Sequence, residues 1–403
     1  MLNFHQALDI VTRQALARER PIETVPLVLS SGRVLAHDIV AEESLPTADN
    51  SAMDGYAIVA VDSVGATPET PARLRVIGEA AAGSPFDGFV DRGMAVRIMT
   101  GATIPDGADG VVEVEATEEG DGYVTVRKEI AAGRSIRRVG EDISRGEIAI
   151  EAGRRINPGR VALLAALGVT NVPVRVKPIV GILSTGSELV EPHRAPSIGQ
   201  IRNSSQPALY AACQEAGAEP VALGIVGDDR EELREKIEEG LRYDILMTTG
   251  GVSAGRYDYV TDLLPELDVE VKFHRTAIRP GSPLLFGTHG QGTLLFGLPG
   301  NPVSTLVTFD LFVRAALRAM MKETTATHEF PARLEVDLRK KDAKRLFVRG
   351  IVRQTHGELH VRPTGTQSSG ALTSISGANC LIVLDEATRD MEAGSMVTIR
   401  MIE

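Results

Sequence analysis

The sequence has no tryptophan, only two cysteines and no long apolar run among its 403 residues. Cys213 and Cys380 have no CxxC partner and no histidine at a zinc-binding spacing, which excludes a disulfide framework and a thiolate metal site. The longest apolar run, Val161 to Val169, is far shorter than the roughly 20 residues of a membrane-spanning helix, and the first residues lack a signal-peptide pattern. These absences predict a cytoplasmic protein with two buried, reduced thiols.

Positive charge is also in deficit. The chain has 43 Lys and Arg residues against 54 Asp and Glu residues, a net charge of −11. This balance repels polyanions at long range, so neither nucleic acid nor an anionic membrane is expected as a partner. The hydrophobic fraction of 43% is typical of globular proteins. At roughly 150 residues per domain, the length indicates about two to four folded domains.

Two common nucleotide-binding motifs are missing. No G-x-G-x-x-G follows a predicted strand and no Gly-Lys pair occurs, which excludes ordinary dinucleotide-binding dehydrogenases and P-loop kinases. One G-x-S-x-G match, at residues 251–255, leaves a serine hydrolase open. Ser253 would then be the nucleophile, with His274, His289 or a later histidine as its base.

The N-terminal part combines helical and β-rich segments. Apolar residues recur at helical spacing over residues 2–16 and again over 161–167, whereas residues 26–150 are short apolar pieces separated by Gly, Pro and Asp. We therefore predict two domains here. A discontinuous N-terminal domain comprises residues 1–26, 41–55 and 145–177, and a β-rich inserted domain comprises residues 27–40 and 56–144.

The remainder of the chain predicts two further domains. Residues 178–328 alternate buried-strand runs with helical segments, a pattern typical of a multidomain α/β protein with a doubly wound parallel sheet. Residues 329–403 contain alternating apolar and polar pieces at 334–338, 359–362, 381–384 and 396–400, which predict a small all-β, barrel-like domain.

Three loops rich in Gly, Ser and Thr follow strands of the predicted α/β domain, at residues 184–188, 248–255 and 297–304. Such loops gather at the carboxyl ends of the strands, where small residues let backbone N–H groups approach a phosphate. Any one loop could be a simple turn, but three in one domain favour a phosphate or oxyanion pocket. Glu188 and Asp258 lie within or just past these loops, and carboxylates beside phosphates commonly hold Mg²⁺.

Residues 49–57, Asp-Asn-Ser-Ala-Met-Asp-Gly-Tyr-Ala, closely resemble the N-terminal signature of the molybdopterin molybdenumtransferase family, which includes MoeA and the E domain of gephyrin. Further matching segments keep the family order over essentially the whole chain. They are residues 97–102, 107–109, 140–143, 184–189, 250–253 with 258–259, and 297–304.

The resemblance implies an elongated homodimer of four-domain subunits, in which the pterin-binding α/β domain of one subunit faces the N-terminal domains of its mate. The implied reaction cleaves adenylylated molybdopterin and inserts molybdate, giving molybdenum cofactor and AMP in the presence of Mg²⁺. Molybdopterin adenylyltransferase and cofactor-accepting enzymes are the implied partners.

The resemblance also implies site residues. The expected catalytic residues are Asp54, Thr100, Asp142, Glu188, Asp228 and Asp258, of which Glu188 and Asp258 are the expected Mg²⁺ ligands. The expected binding residues are Ser184, Thr185, Gly186, Ser187, Gly250, Gly251, Ser253, Arg275, Arg279, Ser282, Pro299, Gly300, Asn301, Pro302, Ser304, Arg349 and Ser369. Ser304, Arg349 and Ser369 match positions associated with the oxyanion in the family.

One segment departs from the family pattern. A Lys-Pro-Gly-Lys-Pro type sequence is usual, whereas Arg279-Pro280-Gly281-Ser282-Pro283 has arginine for the first lysine and serine for the second. Arg275 likewise stands where a lysine is common. Arginine keeps the charge in a planar fork, but Ser282 removes a cation. This departure leaves a tungstate-preferring transferase as one alternative function. A non-catalytic molybdopterin-binding or scaffold protein is a second alternative, which the retained carboxylates disfavour.

Overall fold

The computed structural model describes residues 1–18, 20–251, 259–290, 292–324 and 329–402. The chain forms two compact units. The first comprises Met1–Ala36, Gly153–Asn157 and Val172–Glu403, and the second comprises His37–Ala152 and Pro158–Asn171. The finer division into four domains stays a prediction. Among the described helices, none is both long and apolar enough to cross a membrane.

The α/β domain of the first unit is built on a six-stranded sheet, called here the central sheet. In spatial order its strands are Glu219–Val226, Ile179–Thr185, Ile245–Thr249, Leu294–Leu298, Leu285–His289 and Val269–His274. The first four strands are parallel, and each of the last two is antiparallel to the strand before it. The predicted doubly wound parallel sheet is thus confirmed, with an antiparallel pair added at one edge.

Helices pack on both faces of the central sheet. Helix Ser205–Glu215 buries Leu209 in one apolar cluster, and helix Arg230–Gly240 buries Ile237 in the cluster on the opposite face. From strand Ile179–Thr185 the chain first moves to one neighbour and later to the other. This strand is therefore the topological switch point, beside which α/β proteins bind their ligands.

The chain begins with the predicted amphipathic helix, Phe4–Leu16. The Asn3 side chain caps its first turn. The buried Phe4 ring lies 5.6 Å from the Phe312 ring of the α/β domain and 5.4 Å from the Phe347 ring of the C-terminal domain, measured between centroids. The first helix therefore contributes to the core that these two domains share.

The remaining helical segments are shorter. Helices Pro302–Thr308 and Arg314–Met320 are joined by the π-helical turn Phe309–Val313. The other α-helices are Pro158–Ala166, Tyr259–Leu263 and Leu372–Ser376, and the 3₁₀ turns are Leu27–Leu29, Ala60–Ser63, Val114–Ala116 and Pro265–Leu267.

The C-terminal domain is a closed five-stranded barrel, which confirms the predicted barrel-like fold. In order around the barrel the strands are Arg345–Thr355, Glu358–Pro363, Glu329–Leu334, Met396–Met401 and Cys380–Leu384, and the last pairs with the first. The longest strand, Arg345–Thr355, lies outside the segments that the sequence predicts, because arginines interrupt its apolar alternation.

A short segment of the α/β domain joins the barrel sheet. Strand Ile278–Arg279 runs parallel to the start of strand Arg345–Thr355, with Arg279 opposite Leu346. The turn at residues 280–283 follows directly, so the segment that departs from the family pattern lies beside the barrel. This pairing positions the cavity described below.

The second unit contains the predicted β-rich structure. In spatial order its six-stranded sheet contains Gly110–Glu113, Gly55–Ile58, Met94–Ile98, Ala72–Ala80, Tyr123–Val126 and Thr117–Gly120. Outside the three six-stranded sheets, the described residues form four two-stranded sheets. These are Ile22–Pro26 with Asn171–Arg175, Ile39–Val40 with Ile148–Ile150, Asn50–Ser51 with Ile136–Arg137, and Leu189–Val190 with Ile201–Arg202. Strand Gly55–Ile58 is buried along its whole length, between two antiparallel neighbours.

Gly55→Ala is expected to destabilise the second unit. A Cβ at this position would lie 1.9 Å from the backbone oxygen of Val112, a contact that requires the two strands to separate. We expect a loss of about 3 kcal/mol, at the upper end of overpacking effects in cores. Scanning calorimetry should show the lower unfolding temperature.

Gly120→Ala is the matched control, because Gly120 belongs to the same sheet and an added Cβ would meet nothing within 4 Å. We expect its stability to stay within about 1 kcal/mol of the wild type. Equal unfolding temperatures for the two variants would contradict the prediction.

Candidate functional site

The three predicted loops meet at the carboxyl edge of the central sheet. They follow the adjacent parallel strands Ile179–Thr185, Ile245–Thr249 and Leu294–Leu298. The Gly250 N–H donates to the Leu298 oxygen at 3.1 Å, and a Cβ added at Gly300 would lie 3.6 Å from the Gly250 Cα. We call the segments 184–188, 248–251 and 297–300 the glycine loops.

Glycine is required at several positions of these loops. Gly186, Gly250 and Gly251 have φ angles of +144°, +88° and +63°, which other residues rarely adopt. A Cβ at Gly250 would also lie 2.7 Å from the Thr185 oxygen, and one at Gly186 would lie 2.4 Å from Glu188 Oε2. The backbones therefore approach each other closely, with the Glu188 carboxylate packed beside Gly186.

Hydroxyl groups hold the first loop in place. The buried Ser184 hydroxyl accepts a hydrogen bond from Asn203 Nδ2 at 3.0 Å, inside the domain. The Ser187 hydroxyl accepts one from the Asp228 N–H at 2.9 Å and so links the first loop to the end of the neighbouring strand.

Glu188 and Asp228 are both exposed. Two predicted carboxylates are thus present at the edge of the glycine loops.

A cavity of about 660 Å³ lies between the α/β domain and the barrel, within the first unit. We call it the basic cavity, because six cationic side chains and one carboxylate line it. The predicted site residues in its lining are Arg279, Ser282, Pro299, Asn301, Ser304, Arg349 and Ser369. The cationic side chains are Arg279, Arg339, Lys340, Lys341, Lys344 and Arg349.

Arg349 is the most deeply buried cation of the cavity, with 1% of its surface exposed. Its guanidinium donates to the Ser368 oxygen at 3.0 Å and to the Ser374 hydroxyl at 3.1 Å. In the described part of the chain no carboxylate lies within 4.0 Å of it. Burial lowers the pKa of Arg349. A buried charge without a counter-ion is costly, so this site favours an anion.

One segment belongs to both the glycine loops and the basic cavity. Gly300 faces Gly250, whereas Pro299 and Asn301 line the cavity. The Thr305 hydroxyl donates to the Pro299 oxygen at 2.6 Å, and the Thr305 backbone N–H donates to the Asn301 oxygen at 3.0 Å, which fixes the segment. The two regions are therefore adjacent along residues 299–301.

Other predicted residues lie elsewhere. Pro302 is the first residue of its helix, and Arg275 is exposed in the turn after strand Val269–His274; neither lines the cavity. Ser253 and Asp258 fall outside the described residues. The predicted nucleophile and one predicted metal ligand are therefore without a structural description.

The two histidines named for a hydrolase triad lie on the two antiparallel strands at one side of the central sheet. His289 pairs with Val269 and lies at the sheet edge opposite the glycine loops, whereas His274 pairs with Leu285 at the same edge as the loops. The strand ending at His274 is three strands from Ile245–Thr249, a separation of about 14 Å at 4.8 Å per strand. Neither of the strands that carry these histidines is adjacent to strand Ile245–Thr249, after which Ser253 follows in the sequence.

The remaining predicted catalytic residues lie in the second unit. Asp54 Oδ1 accepts hydrogen bonds from the Thr100 N–H and from the Thr100 hydroxyl, both at 2.7 Å. These bonds, with the N–H as the larger contribution, hold the pKa of Asp54 below its ordinary value. Asp142 is exposed, and its N–H donates to the Leu45 oxygen at 3.0 Å.

Sequence reasoning missed the residues that hold Arg349. Gln367 Oε1 accepts from the Arg349 N–H at 3.0 Å, and Ser374 contributes its buried hydroxyl. The run Gln367-Ser368-Ser369-Gly370 has the same small polar character as the glycine loops, and that similarity could have identified it. Ser374 carries no comparable signal, because nothing in its sequence context distinguishes it from other serines.

Three family models match the chain in order. The MoeA N-terminal region (domain I and II) matches residues 2–168, the "probable molybdopterin binding domain" matches residues 181–319, and the MoeA C-terminal region (domain IV) matches residues 331–401. Together with a relative 38% identical over most of both chains, these matches show that the chain belongs to the MoeA family.

Individual relatives agree. The chain is similar to the molybdopterin molybdenumtransferase of Bacillus subtilis (strain 168), at 38% identity over 94% of this chain and 90% of that protein. It is 37% identical to the enzyme of the same name from Staphylococcus aureus (strain MRSA252), over 95% and 92%. The crystal structure of the molybdopterin biosynthesis moeA protein from Pyrococcus horikoshii OT3 covers 100% of both chains, with a TM-score of 0.85 and 31% identity.

Thr100→Val is expected to raise the pKa of Asp54. The variant removes the hydroxyl donor but retains the backbone N–H, so the pKa should move upward and stay below the ordinary carboxyl value. A carboxyl group whose pKa is lowered in the folded state stabilises the fold at pH values above its pKa in the unfolded chain, about 3.9. This stabilisation is lost as the pH falls through the pKa of the folded state. An NMR titration of the Asp54 carboxyl carbon would measure the shift.

The control is Thr117→Val, because the Thr117 hydroxyl donates to the Val114 backbone oxygen at 2.8 Å and not to a carboxylate. This variant should leave the Asp54 titration unchanged. If Thr100→Val also left it unchanged, the hydroxyl would have no part in lowering this pKa.

Proposed function

We propose that this protein is a molybdopterin molybdenumtransferase, which inserts molybdate into adenylylated molybdopterin and releases AMP. The observation that carries the proposal is the buried Arg349 guanidinium, which lines a cavity of about 660 Å³ without a carboxylate partner among the described residues. Relatives that carry this enzyme's name match nearly the whole chain and support the same reaction.

The basic cavity has the chemistry that a tetrahedral dianion requires. Molybdate is bound by cationic donors, hydroxyls and backbone N–H groups. Arg349 supplies the buried charge, and the hydroxyls of Ser304 and Ser369 belong to the same lining. We therefore assign oxyanion binding to these three residues together with Arg279, and Ser282 lies beside them in the lining.

The glycine loops are proposed to bind the phosphate of the pterin. Their backbones approach within the space that only glycine allows, at the switch point of the sheet. Because segment 299–301 borders both regions, a pterin on the glycine loops would extend toward an oxyanion in the basic cavity. This adjacency supports transfer between the two.

We propose Glu188 and Asp258 as Mg²⁺ ligands, with Asp228 as a further carboxylate of the site. Among the described residues no cluster of three His, Cys, Asp or Glu side chains could hold a metal. Mg²⁺ commonly keeps several waters and binds through one or two carboxylates and substrate phosphates, so the exposed Glu188 beside Gly186 fits it. When bound, Mg²⁺ offsets charge on the departing AMP.

We infer that the active form is a homodimer in the cytoplasm, with Asp54, Thr100 and Asp142 completing the cleft from the N-terminal domains of the mate. The family resemblance supports this assembly, as do the exposed carboxylates of Asp54 and Asp142. Two buried free thiols, Cys213 and Cys380, suit a reducing compartment. An adenylyltransferase that supplies the pterin and enzymes that accept the cofactor complete the proposal.

Arg349→Met is expected to reduce molybdate-dependent AMP release by about 100-fold at limiting molybdate, because charged hydrogen bonds contribute up to about 3 kcal/mol each. The measurement is AMP formation from adenylylated molybdopterin with and without molybdate. Circular dichroism should confirm that the barrel still folds.

Arg353→Met is the matched control. Arg353 belongs to the same strand, its side chain is 62% exposed, and it pairs with Glu335 at 3.0 Å. Its AMP release should stay within about twofold of the wild type, since exposed ion pairs contribute little. Wild-type activity of Arg349→Met would refute oxyanion binding in the basic cavity.

Asp258→Asn and Glu188→Gln test the metal proposal. Each is expected to raise the Mg²⁺ concentration for half-maximal AMP release by at least about tenfold, because even residues that only support metal ligands commonly have effects of this size. Asp262→Asn, which changes an exposed carboxylate of the following helix, should have no effect. Unchanged AMP release by Asp258→Asn at limiting Mg²⁺ would show that its assigned role is wrong.

A further inference from the structure

Lys344 is a cation of the basic cavity that neither the family resemblance nor the sequence motifs assign. It precedes strand Arg345–Thr355 and is half-buried in the cavity wall. Its Nζ lies 3.3 Å from the hydroxyl oxygen of Ser282. Ser282 is the position at which this chain lacks the second cation of the segment 279–283.

The hydrogen bonds around Ser282 orient the Lys344 ammonium. The Ser282 hydroxyl donates its proton to the Thr276 oxygen at 2.8 Å, so its lone pair accepts from Lys344. The backbone N–H of Lys344, as distinct from its ammonium, donates to Asp342 Oδ1 at 3.1 Å. This bond fixes the backbone of the turn. An ammonium has three protons, and the bond to Ser282 uses one. Two protons are therefore available to an anion in the cavity.

The other cations of the lining are engaged differently. Arg279 pairs with Asp342 at 3.2 Å, whereas in the described ranges no carboxylate oxygen lies within 4.0 Å of the Lys344 ammonium or of the Arg349 guanidinium. Three more complete the set: Arg339 and Lys341 are exposed, and Lys340 donates to the backbone oxygen of Asp385. Lys340 is also half-buried and without a carboxylate partner in these ranges, but the oxygen that it binds lies outside the cavity lining, whereas Ser282, the partner of Lys344, belongs to that lining. Lys344 is therefore the half-buried lysine whose ammonium is bonded within the cavity lining.

We propose that Lys344, positioned by Ser282, supplies from the barrel domain the anion-binding charge that segment 279–283 lacks. Lys344 and Arg349 together then bind the molybdate dianion. This inference rests on the proposed function, because it assumes that the basic cavity is the oxyanion site. It makes Lys344 a determinant of oxyanion affinity in this protein.

Molybdate binding to the full-length protein, measured by isothermal titration calorimetry without pterin, tests the proposal. Lys344→Met should weaken binding between about 10-fold and 100-fold, in line with the loss of a charged hydrogen bond. Ser282→Ala, which retains the charge but removes its partner, should weaken binding by about threefold. Lys236→Met removes a lysine outside the basic cavity that pairs with Glu239, and it controls for the change in net charge.

The double variant Ser282→Lys with Lys344→Met returns the cation to the segment 279–283. Its affinity should recover to within about fivefold of the wild type, a result that a merely structural role of Lys344 would not give. If the double variant did not recover molybdate affinity, the proposal would be overturned, even if Lys344→Met alone bound molybdate weakly.

Two further outcomes separate the inference from the proposed function. Wild-type affinity in Lys344→Met, with binding lost in Arg349→Met, would overturn the role of Lys344 and leave the oxyanion site in place. Wild-type affinity in Arg349→Met, or no molybdate uptake by the wild type, would overturn the site and the role of Lys344 together.

Discussion

The burial of one positive charge governs the architecture around the basic cavity. Arg349 lies on the longest barrel strand, and a loop and a short helix are arranged around it. The carbonyl of Ser368 and the hydroxyl of Ser374 accept from its guanidinium, and Gln367 binds its backbone. Neutral acceptors orient a charge but do not neutralise it. In the described part of the chain the fold thus keeps this cation oriented and without a carboxylate partner, which is the preorganisation that an oxyanion site requires.

Much of the fold could be predicted, because several elements carry strong local patterns. Apolar residues at helical spacing over residues 2–16 predict helix Phe4–Leu16, which begins and ends close to the expected positions. The meeting of the glycine loops could also be anticipated, because parallel strands place their carboxyl ends at one edge. Gly186, Gly250 and Gly300 accordingly lie together in the first unit.

The rest depends on tertiary contacts that leave little trace in a single sequence. Strand Arg345–Thr355 does not show a period-two apolar pattern, because the charged residue Arg349 stands at a buried position where an apolar residue would be expected. The antiparallel strand Val269–His274 contains lysine and glutamate, which obscure its buried face. Lys344 meets Ser282 across 62 residues of chain, and no spacing rule connects positions so far apart.

The segment 299–301 borders both the glycine loops and the basic cavity, and this adjacency has a thermodynamic consequence. If a guest on the glycine loops alters the affinity of the basic cavity by some factor, a guest in the cavity must alter the affinity of the loops by the same factor. The rigid support from Thr305 limits how far the segment can move in response. In the proposed reaction, pterin and oxyanion can therefore bind in either order and reach a ternary complex of the same free energy, whatever the sign of their cooperativity.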